Sequence, residues 1–199
     1  MIAVSPALEL NLLRPWTIND YEQMLETGIL QSDESVELIT GQIIRKMSPQ
    51  GSPHAAAIRR TDSLFKQFIC QFDPQTVIVQ QQLPITLSEF SQPEPDIALV
   101  KADRLDYEER HPRADEVYLI IEIADRTLRS DLTLKKQVYA AAGIPDYWVL
   151  DLSHRQLYVY RQPTTTGYQQ EQILEETAQI APLAFPDKRL PVAAMLKPQ

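Results

Sequence analysis

The chain has 199 residues, of which 44% are apolar, and its formal net charge is -8. This length suits one domain with a sizeable core, and the apolar content excludes a disordered chain. No apolar run is long enough to span a bilayer. The acidic balance by itself argues against DNA binding, because proteins that grip phosphates usually carry a basic face. A site for divalent metals also concentrates carboxylates, however, and a local basic strip can still bind.

The N-terminal segment MIAVSPALELNLLRPW has no basic region and no uninterrupted apolar region, so we expect neither a signal peptide nor a transit peptide. Cys70 is the one cysteine in the chain. A single cysteine forms no intrachain disulfide and no thiolate cluster for zinc. An intracellular, cytoplasmic location is therefore expected.

Helix and hairpin patterns occupy the first third of the chain. A short helix is predicted over residues 17–27, because Thr17 suits an N-cap and Gly28 suits the position after the helix. Residues 36–47 predict two strands in a hairpin around Thr40-Gly41. Helical spacing over residues 54–72 places these apolar side chains on one face: Ile58, Leu64, Phe65, Phe68 and Phe72.

Strands then alternate with a helix. The segments with strand patterns are 76–87 (bent or at an edge because of Pro84), 96–101, 117–124, 147–152 and 156–161. The run VYLIIEIA at 117–124 suits a central strand buried on both faces. Residues 131–142 predict a helix that Gly143 and Pro145 close. We expect an α/β fold in one domain over residues 1–199, with a mixed sheet covered on two sides and finished or capped by the part after residue 162.

Two acidic side chains interrupt these strands. Glu122 is the one charge in the 117–124 run, where alternation places it on the same side as Tyr118, Ile120 and Ala124. A buried carboxylate needs a metal, a lysine or hydrogen-bond donors; the alternative is that Glu122 reaches solvent at the strand end. Asp96 follows Pro95 at the entry to the 96–101 strand, where it could share a divalent cation or cap a turn.

Lys135 lies in the middle of the apolar face of the 131–142 helix, between Leu132 and Val138. A lysine that points into a protein needs a carboxylate or a phosphate close by. The alternative is that its stem bends out to solvent.

Several further residues have weaker patterns. Glu37 could be an acid of the same site or a surface charge, and His54 could contact a phosphate, contact a metal-bound water or be satisfied by the backbone at a helix start. Pairs of basic residues could form a local strip for nucleic acid or be ordinary surface; they are Arg45 with Lys46, Arg59 with Arg60, and Arg126 with Arg129.

Three strings of the sequence resemble the Uma-two family of endonucleases in the PD-(D/E)xK superfamily. They are VELITGQIIRKMSPQGSPH, PEPDIALV and LIIEIADRTLRSDLTLKKQVYAAAGIPDYWVLD, and the resemblance runs from about residue 21 to about residue 163. It implies a restriction-endonuclease-like fold, a mixed sheet flanked by helices, often as a homodimer.

The resemblance also implies residue roles. Pro95-Asp96 matches the PD element, Glu122 the second acid, Glu37 the first acid of the family and His54 its histidine. The superfamily places a lysine two residues after the second acid, where this chain has Ala124. In the Uma-two pattern the lysine stands four residues before the tyrosine of the following helix, which is Lys135 here.

These residues predict hydrolysis of a nucleic-acid phosphodiester, DNA being the expected substrate, with a 5′-phosphate left after cleavage. Asp96 and Glu122 would bind Mg²⁺ or Mn²⁺, with Glu37 and the Ile123 carbonyl, and Lys135 would orient water or stabilise the transition state. His54 would contact the substrate. Two alternatives stay open: a nucleic-acid-binding or assembly protein with little activity, and a hydrolase of another phosphodiester.

Overall fold

The computed structural model describes residues 13–31, 33–46, 51–69 and 76–198. Four points of the sequence analysis lie outside the described residues: the N-terminal segment up to residue 12, Met47 at the end of the predicted hairpin, Cys70 and Phe72. The elements in chain order are α1 (Ile18–Glu26), β1 (Val36–Ile39), β2 (Gln42–Arg45), α2 (Ser52–Ile69), β3 (Val77–Gln81), β4 (Ile97–Lys101), β5 (Val117–Ala124), α3 (128–141), β6 (Asp146–Asp151), β7 (Gln156–Thr164), β8 (Gly167–Glu175), β9 (Gln179–Ile180) and β10 (Leu190–Pro191).

A six-stranded mixed sheet lies at the centre of the molecule, in the order β3-β4-β5-β6-β7-β8. β5 and β6 pair in parallel and are joined by the helical crossover α3, while the other neighbouring strands are antiparallel. The predicted mixed sheet is confirmed. The strand predicted over 76–87 is the edge strand β3, as its bent-or-edge prediction allows, but it is shorter: β3 ends at Gln81, and Gln82 turns away with φ +51 toward the loop before β4.

β5 is the predicted central strand, and its side chains are buried on both faces apart from the half-buried Tyr118. The prediction that Tyr118 shares a face with Glu122 is wrong. The pairing with β4 shifts between Leu99 opposite Leu119 and Val100 opposite Val117, so Tyr118 is an extra residue in β5. A β-bulge of this kind breaks the alternation of side chains, and Tyr118 packs with the apolar cluster on the opposite face.

Each face of the sheet is covered by a helix. On one face α2 packs through Ala57, Ile58 and Phe65 onto side chains such as Ile123, and the C-terminal turn at Val192–Met195 extends this cluster. On the other face α3 packs through Tyr139 and Ala140, in a cluster rich in tyrosine. Burial on both faces explains why β5 and β6 are almost continuously apolar.

α3 is longer than the predicted helix over 131–142. It consists of an α-helical turn at Leu128–Ser130, a π-helical turn at Asp131–Lys135 and an α-helix at Lys136–Ala141. The wider turn carries Asp131 and Lys135 at its two ends. π-Helical turns are rare and occur frequently at functional sites.

β1 and β2 form a separate hairpin beside the main sheet, as predicted around Thr40-Gly41. α1 packs on it through Tyr21, and Thr17 caps α1 with Asp20 as expected for a capping box. The backbone of Gly41 accepts a hydrogen bond from Trp16 and donates one to Phe90. These contacts fix the hairpin, and with it Glu37, against the rim of the sheet.

The C-terminal part completes the sheet, as expected. β7 continues to Thr164, and β8 adds an edge strand whose side chains are mostly exposed. Asp146 anchors the segment after β8, because its carboxylate accepts hydrogen bonds from Arg161, Trp148 and the Leu183 backbone. In the described part of the chain, no helix combines the length and apolar character needed to cross a membrane.

Candidate active site

Asp96 lies at the entry to β4 and is held by three donors. Its Oδ2 accepts a hydrogen bond from the Ile123 amide at 2.8 Å and lies 3.0 Å from His54 Nε2. Its Oδ1 accepts a hydrogen bond from Gln82 at 3.3 Å. The residue is 9% exposed, so Asp96 is a buried and positioned carboxylate at the end of two neighbouring strands, and not simply the cap of a turn.

Glu122 points from β5 toward α3 and is 3% exposed. Its Oε1 accepts hydrogen bonds from Lys135 Nζ at 2.9 Å and from Tyr139 Oη at 2.8 Å. The alternative that Glu122 reaches solvent is therefore wrong. The alternative that the lysine stem bends outward is also wrong, because the side chain of Lys135 is only 13% exposed.

Glu37 reaches the same place from the separate hairpin. It is 4% exposed, its Oε2 accepts a hydrogen bond from the Glu94 amide at 3.2 Å, and its Oε1 lies 3.6 Å from Lys135 Nζ. Glu37 is therefore a buried member of the cluster and not a surface charge. Lys135 bridges a carboxylate from the main sheet and a carboxylate from the hairpin.

Asp131 is a member of this cluster that the sequence analysis missed. It lies at the start of the π-helical turn, is 3% exposed and lines the same cleft as Lys135. Burial raises the pKa of Asp131 to about 6, although Lys135 and a hydrogen bond with Thr127 lower it. The helical wheel could have found it, because a residue four positions before Lys135 lies about 40° away on the same face.

The charges in the cluster are not balanced. Burial raises the pKa of Glu122 to about 8, although Lys135 pulls it down. Burial also disfavours the charged form of Lys135, but Glu122, Glu37 and Asp131 hold its pKa above the ordinary value. Three buried carboxyl groups thus surround one ammonium, and the surplus of acid favours a further cation.

His54 comes from α2, on the face of the sheet opposite Lys135. Burial lowers the pKa of its imidazole, but Asp96 and a backbone hydrogen bond with Ile123 raise that pKa above the ordinary value. His54 Nδ1 is buried and has no hydrogen-bond partner among the described residues. His54 is thus part of the site itself and not merely a helix-start residue.

A cleft of about 730 Å³ opens over these residues. The basic residues Arg45, Lys46 and Arg126 line it, and Lys46 pairs with Glu94. Arg59 and Arg60 line a separate shallow depression on α2, and Arg129 is not among the described residues that line the cleft. Of the six basic residues considered for a local strip, three therefore line the cleft.

The carboxylates do not converge on one point in this structure. Asp96 is paired with His54, whereas Glu122 and Glu37 are paired with Lys135. Accordingly, no group of three or more Asp, Glu, His or Cys side chains within the described ranges is arranged to hold one metal ion. The donor chemistry still suits a divalent cation, because Mg²⁺ and Mn²⁺ prefer carboxylate and carbonyl oxygens.

Comparisons with known proteins agree with this fold. A crystal structure from Anabaena variabilis, described as "a putative nuclease belonging to DUF820", is similar over 91% of this chain and 97% of that chain, with a TM-score of 0.70 and 21% sequence identity. The predicted restriction-endonuclease-like fold class is thereby confirmed. No curated protein matches the chain. A family model, Uma2, described as "Putative restriction endonuclease", matches residues 18–193. Because this match covers most of the sequence, the chain belongs to the Uma2 family.

Proposed function

We propose that this chain is a metal-dependent endonuclease that hydrolyses phosphodiester bonds of nucleic acid, with DNA as its substrate. The observation that carries the proposal is that three buried carboxylates and one inward-pointing lysine line the same cleft; the carboxylates are those of Glu37, Asp96 and Glu122. Membership of a family of restriction endonucleases supports the nuclease class.

The acidic surplus of the cleft is the reason to include a metal. Mg²⁺ or Mn²⁺ would be held by Asp96 and Glu122, with Glu37 and the Ile123 carbonyl. When bound, the ion supplies an activated water and offsets charge on the phosphate. The raised pKa of Glu122 supports this assignment, because a buried carboxyl that is incompletely neutralised gains most from an added cation.

Lys135 supplies a second positive charge in the same cleft. Its ammonium donates a hydrogen bond to Glu122 and lies 3.6 Å from Glu37 Oε1, so it holds both carboxylates in position. Beside a bound phosphodiester, the same ammonium would stabilise the negative charge that grows in the transition state. Catalysis therefore depends on Lys135 through both the position of Glu122 and the charge on the phosphate.

The basic residues at the cleft would bind the phosphates on either side of the bond that is cut. Arg45, Lys46 and Arg126 are suited to this role because phosphate contacts position a protein on nucleic acid without reading its sequence. Each phosphate contact contributes about 0.9 to the fall of log affinity with log salt concentration, so three contacts predict a modest salt dependence. A local strip of this kind is compatible with a chain of net charge -8.

Cleavage of plasmid and oligonucleotide DNA with Mg²⁺ or Mn²⁺ tests the proposal. We expect EDTA to abolish cleavage, and Glu122→Gln or Lys135→Met to reduce it by about 100-fold or more, the scale of losing one transition-state contact. Lys136→Met is the matched control, because this neighbouring lysine pairs with the exposed Glu171 instead. Unchanged cleavage in the first two variants would refute the proposed site.

Binding of nucleic acid without hydrolysis is the second candidate function. It is favoured by the pairing of Asp96 with His54 and of Glu122 with Lys135, which leaves no converged set of three ligand side chains among the described residues. Stable binding of DNA or RNA with no cleavage under any divalent metal would support it. Cleavage of a small phosphodiester but of no nucleic acid would instead indicate a different substrate.

The single domain over residues 1–199 and the homodimer remain predictions. Analytical ultracentrifugation of the purified chain measures the oligomeric state directly. Limited proteolysis tests whether the part after about residue 163 separates from the remainder of the domain.

A further inference from the structure

We propose that His54 is a nitrogen ligand of the metal site, sharing the ion with Asp96 and the Ile123 carbonyl, and that this ligand makes the site select Mn²⁺ over Mg²⁺. The inference rests on the proposed metal-dependent function. It assigns His54 to the metal itself, whereas the sequence suggests only a contact to phosphate, to water or to the backbone.

The position of the imidazole carries the inference. His54 Nε2 lies 3.0 Å from Asp96 Oδ2, and the same oxygen accepts a hydrogen bond from the Ile123 amide. Metal–ligand bonds of about 2.1 Å at right angles place neighbouring ligand atoms about 3 Å apart. His54 and Asp96 therefore already have the spacing of two adjacent ligands of one ion.

The scaffold holds this ring in place. His54 is near the start of α2, and Ala57 and Ile58, one turn further on, are buried against the sheet. The His54 side chain is 13% exposed. The packed helix therefore holds the ring beside Asp96, and a cation that binds Asp96 meets a nitrogen donor that is already positioned.

His54 Nδ1 has no hydrogen-bond partner in the described part of the chain. In the free protein the ring can donate from Nε2 to Asp96. To present the Nε2 lone pair to a metal ion, a neutral imidazole has to carry its proton on Nδ1. Metal binding would therefore also require a water or a side-chain acceptor for the Nδ1 proton.

The other half of the cluster explains why the ion would lie close to His54. Lys135 lies 2.9 Å from Glu122 and 3.6 Å from Glu37, so its ammonium already offsets part of the charge of those two carboxylates. Asp96 is free of Lys135 and has His54 as its cationic or donor partner. A metal ion therefore gains most on the Asp96 side of the cleft.

The choice of metal follows from the donor atoms. Mg²⁺ prefers an all-oxygen shell and keeps its waters, whereas Mn²⁺ and later divalent metals accept imidazole nitrogen more readily. A shell that contains His54 nitrogen together with the Asp96 and Ile123 oxygens therefore favours Mn²⁺. Replacing the nitrogen with an oxygen donor removes that preference.

Metal titration of the full-length, metal-free protein tests the inference. Calorimetry measures the affinities for Mn²⁺ and Mg²⁺, and pulsed electron paramagnetic resonance of the Mn²⁺ complex detects a coordinated imidazole nitrogen. In His54→Gln the side-chain amide can still donate to Asp96. We expect this variant to lose the nitrogen signal and about tenfold or more in Mn²⁺ affinity, the scale of losing a group that supports a metal, with Mg²⁺ affinity changed far less.

His154→Gln is the matched control, because His154 also contacts a carboxylate, that of Asp151, but is largely exposed and lies away from the cleft. It should keep both the nitrogen signal and the affinities. Labelling the wild-type protein with ¹⁵N-histidine keeps the test valid even if His54→Gln is poorly folded, because the coupling is then measured without a substitution.

Three results would overturn the inference. They are a wild-type Mn²⁺ complex without histidine nitrogen coupling, an equal loss of Mn²⁺ and Mg²⁺ affinity in His54→Gln, and no metal binding by the wild type. An equal loss would mean that His54 only orients Asp96. Nuclease activity is measured on the same samples: a nitrogen-coupled metal without cleavage refutes the endonuclease proposal alone, and cleavage without nitrogen coupling refutes the His54 assignment alone.

Discussion

Replacing Lys135 with methionine removes the ammonium that touches Glu122 while keeping a side chain of similar length. In the wild type, Glu122 is 3% exposed and receives the ammonium at 2.9 Å and the Tyr139 hydroxyl at 2.8 Å. The variant leaves a buried carboxyl with the hydroxyl as its remaining side-chain donor. The free energy of unfolding should therefore fall.

The expected loss is about 3 kcal/mol, the lower end of the cost of breaking a buried ion pair. Two features keep it at the lower end. Glu122 can take up a proton, because burial already raises its pKa to about 8, and Lys135 itself is not completely buried. For a chain of this size, such a loss corresponds to a fall in Tm of about 6–12 °C.

Urea denaturation of the metal-free protein at pH 8 measures the effect. Lys136→Met should cost no more than about 1 kcal/mol, since its pair with Glu171 is at the surface. Adding Glu122→Gln to Lys135→Met should recover most of the loss, because the neutral amide needs no cation. The loss should also shrink at pH 5, where the variant's Glu122 is neutral.

A loss below about 1 kcal/mol for Lys135→Met, equal to that of the Lys136 control, would refute the reasoning. It would mean that Lys135 and Glu122 do not interact in solution. A loss that the added Glu122→Gln does not recover would instead show that the lysine stem stabilises the fold by packing alone.

Three further predictions concern stability, each measured by urea denaturation of the metal-free protein. Asp131→Asn should be more stable relative to the wild type at pH 8 than at pH 4. The pKa of Asp131 in the folded protein is about 6, above its ordinary value of 3.8, so the wild type loses stability as the pH rises through that window; parallel pH profiles of the two proteins would contradict this. Gly41→Ala should destabilise the hairpin by more than Gly143→Ala: both glycines have positive φ, but a Cβ at Gly41 would lie 2.4 Å from a Pro15 side-chain atom, whereas Gly143 has open space. Equal losses would show that the contact does not matter. Asp146→Ala should cost about 3–5 kcal/mol, because it leaves the Arg161 guanidinium without its buried partner, and a loss below about 1 kcal/mol would mean that the pair adds no net stability.

The inward direction of Lys135 could be predicted because it depends on local geometry. Rotation along a helix places Lys135 among the apolar residues of α3, and a charge on that face has to meet an opposite charge. By the same reasoning, Glu122, the single charged residue in the β5 run, is predicted to need a partner such as a lysine if it is buried. The distance of 2.9 Å between the two agrees with both arguments.

Other parts of the site depend on contacts between distant segments. Glu37 reaches Lys135 only because the hairpin docks on the loop before β4, and no local pattern in VELI encodes that docking. The side of Tyr118 was mispredicted because a bulge is set by pairing with β4. The sequence predicts only that the part after residue 162 finishes or caps the sheet, because the side chains of β8 are mainly polar and exposed, as an edge strand allows.

The two helices that carry His54 and Lys135 pack on opposite faces of one sheet, with the carboxylates between them. Layers of a domain can open locally at free energies below that of global unfolding. Detachment of α2 or of α3 would remove one of these two side chains while leaving the strand ladder largely paired. Catalysis would thus require α2 and α3 to be docked on the sheet at the same time. On warming, activity should therefore be lost before the circular dichroism signal of the sheet changes.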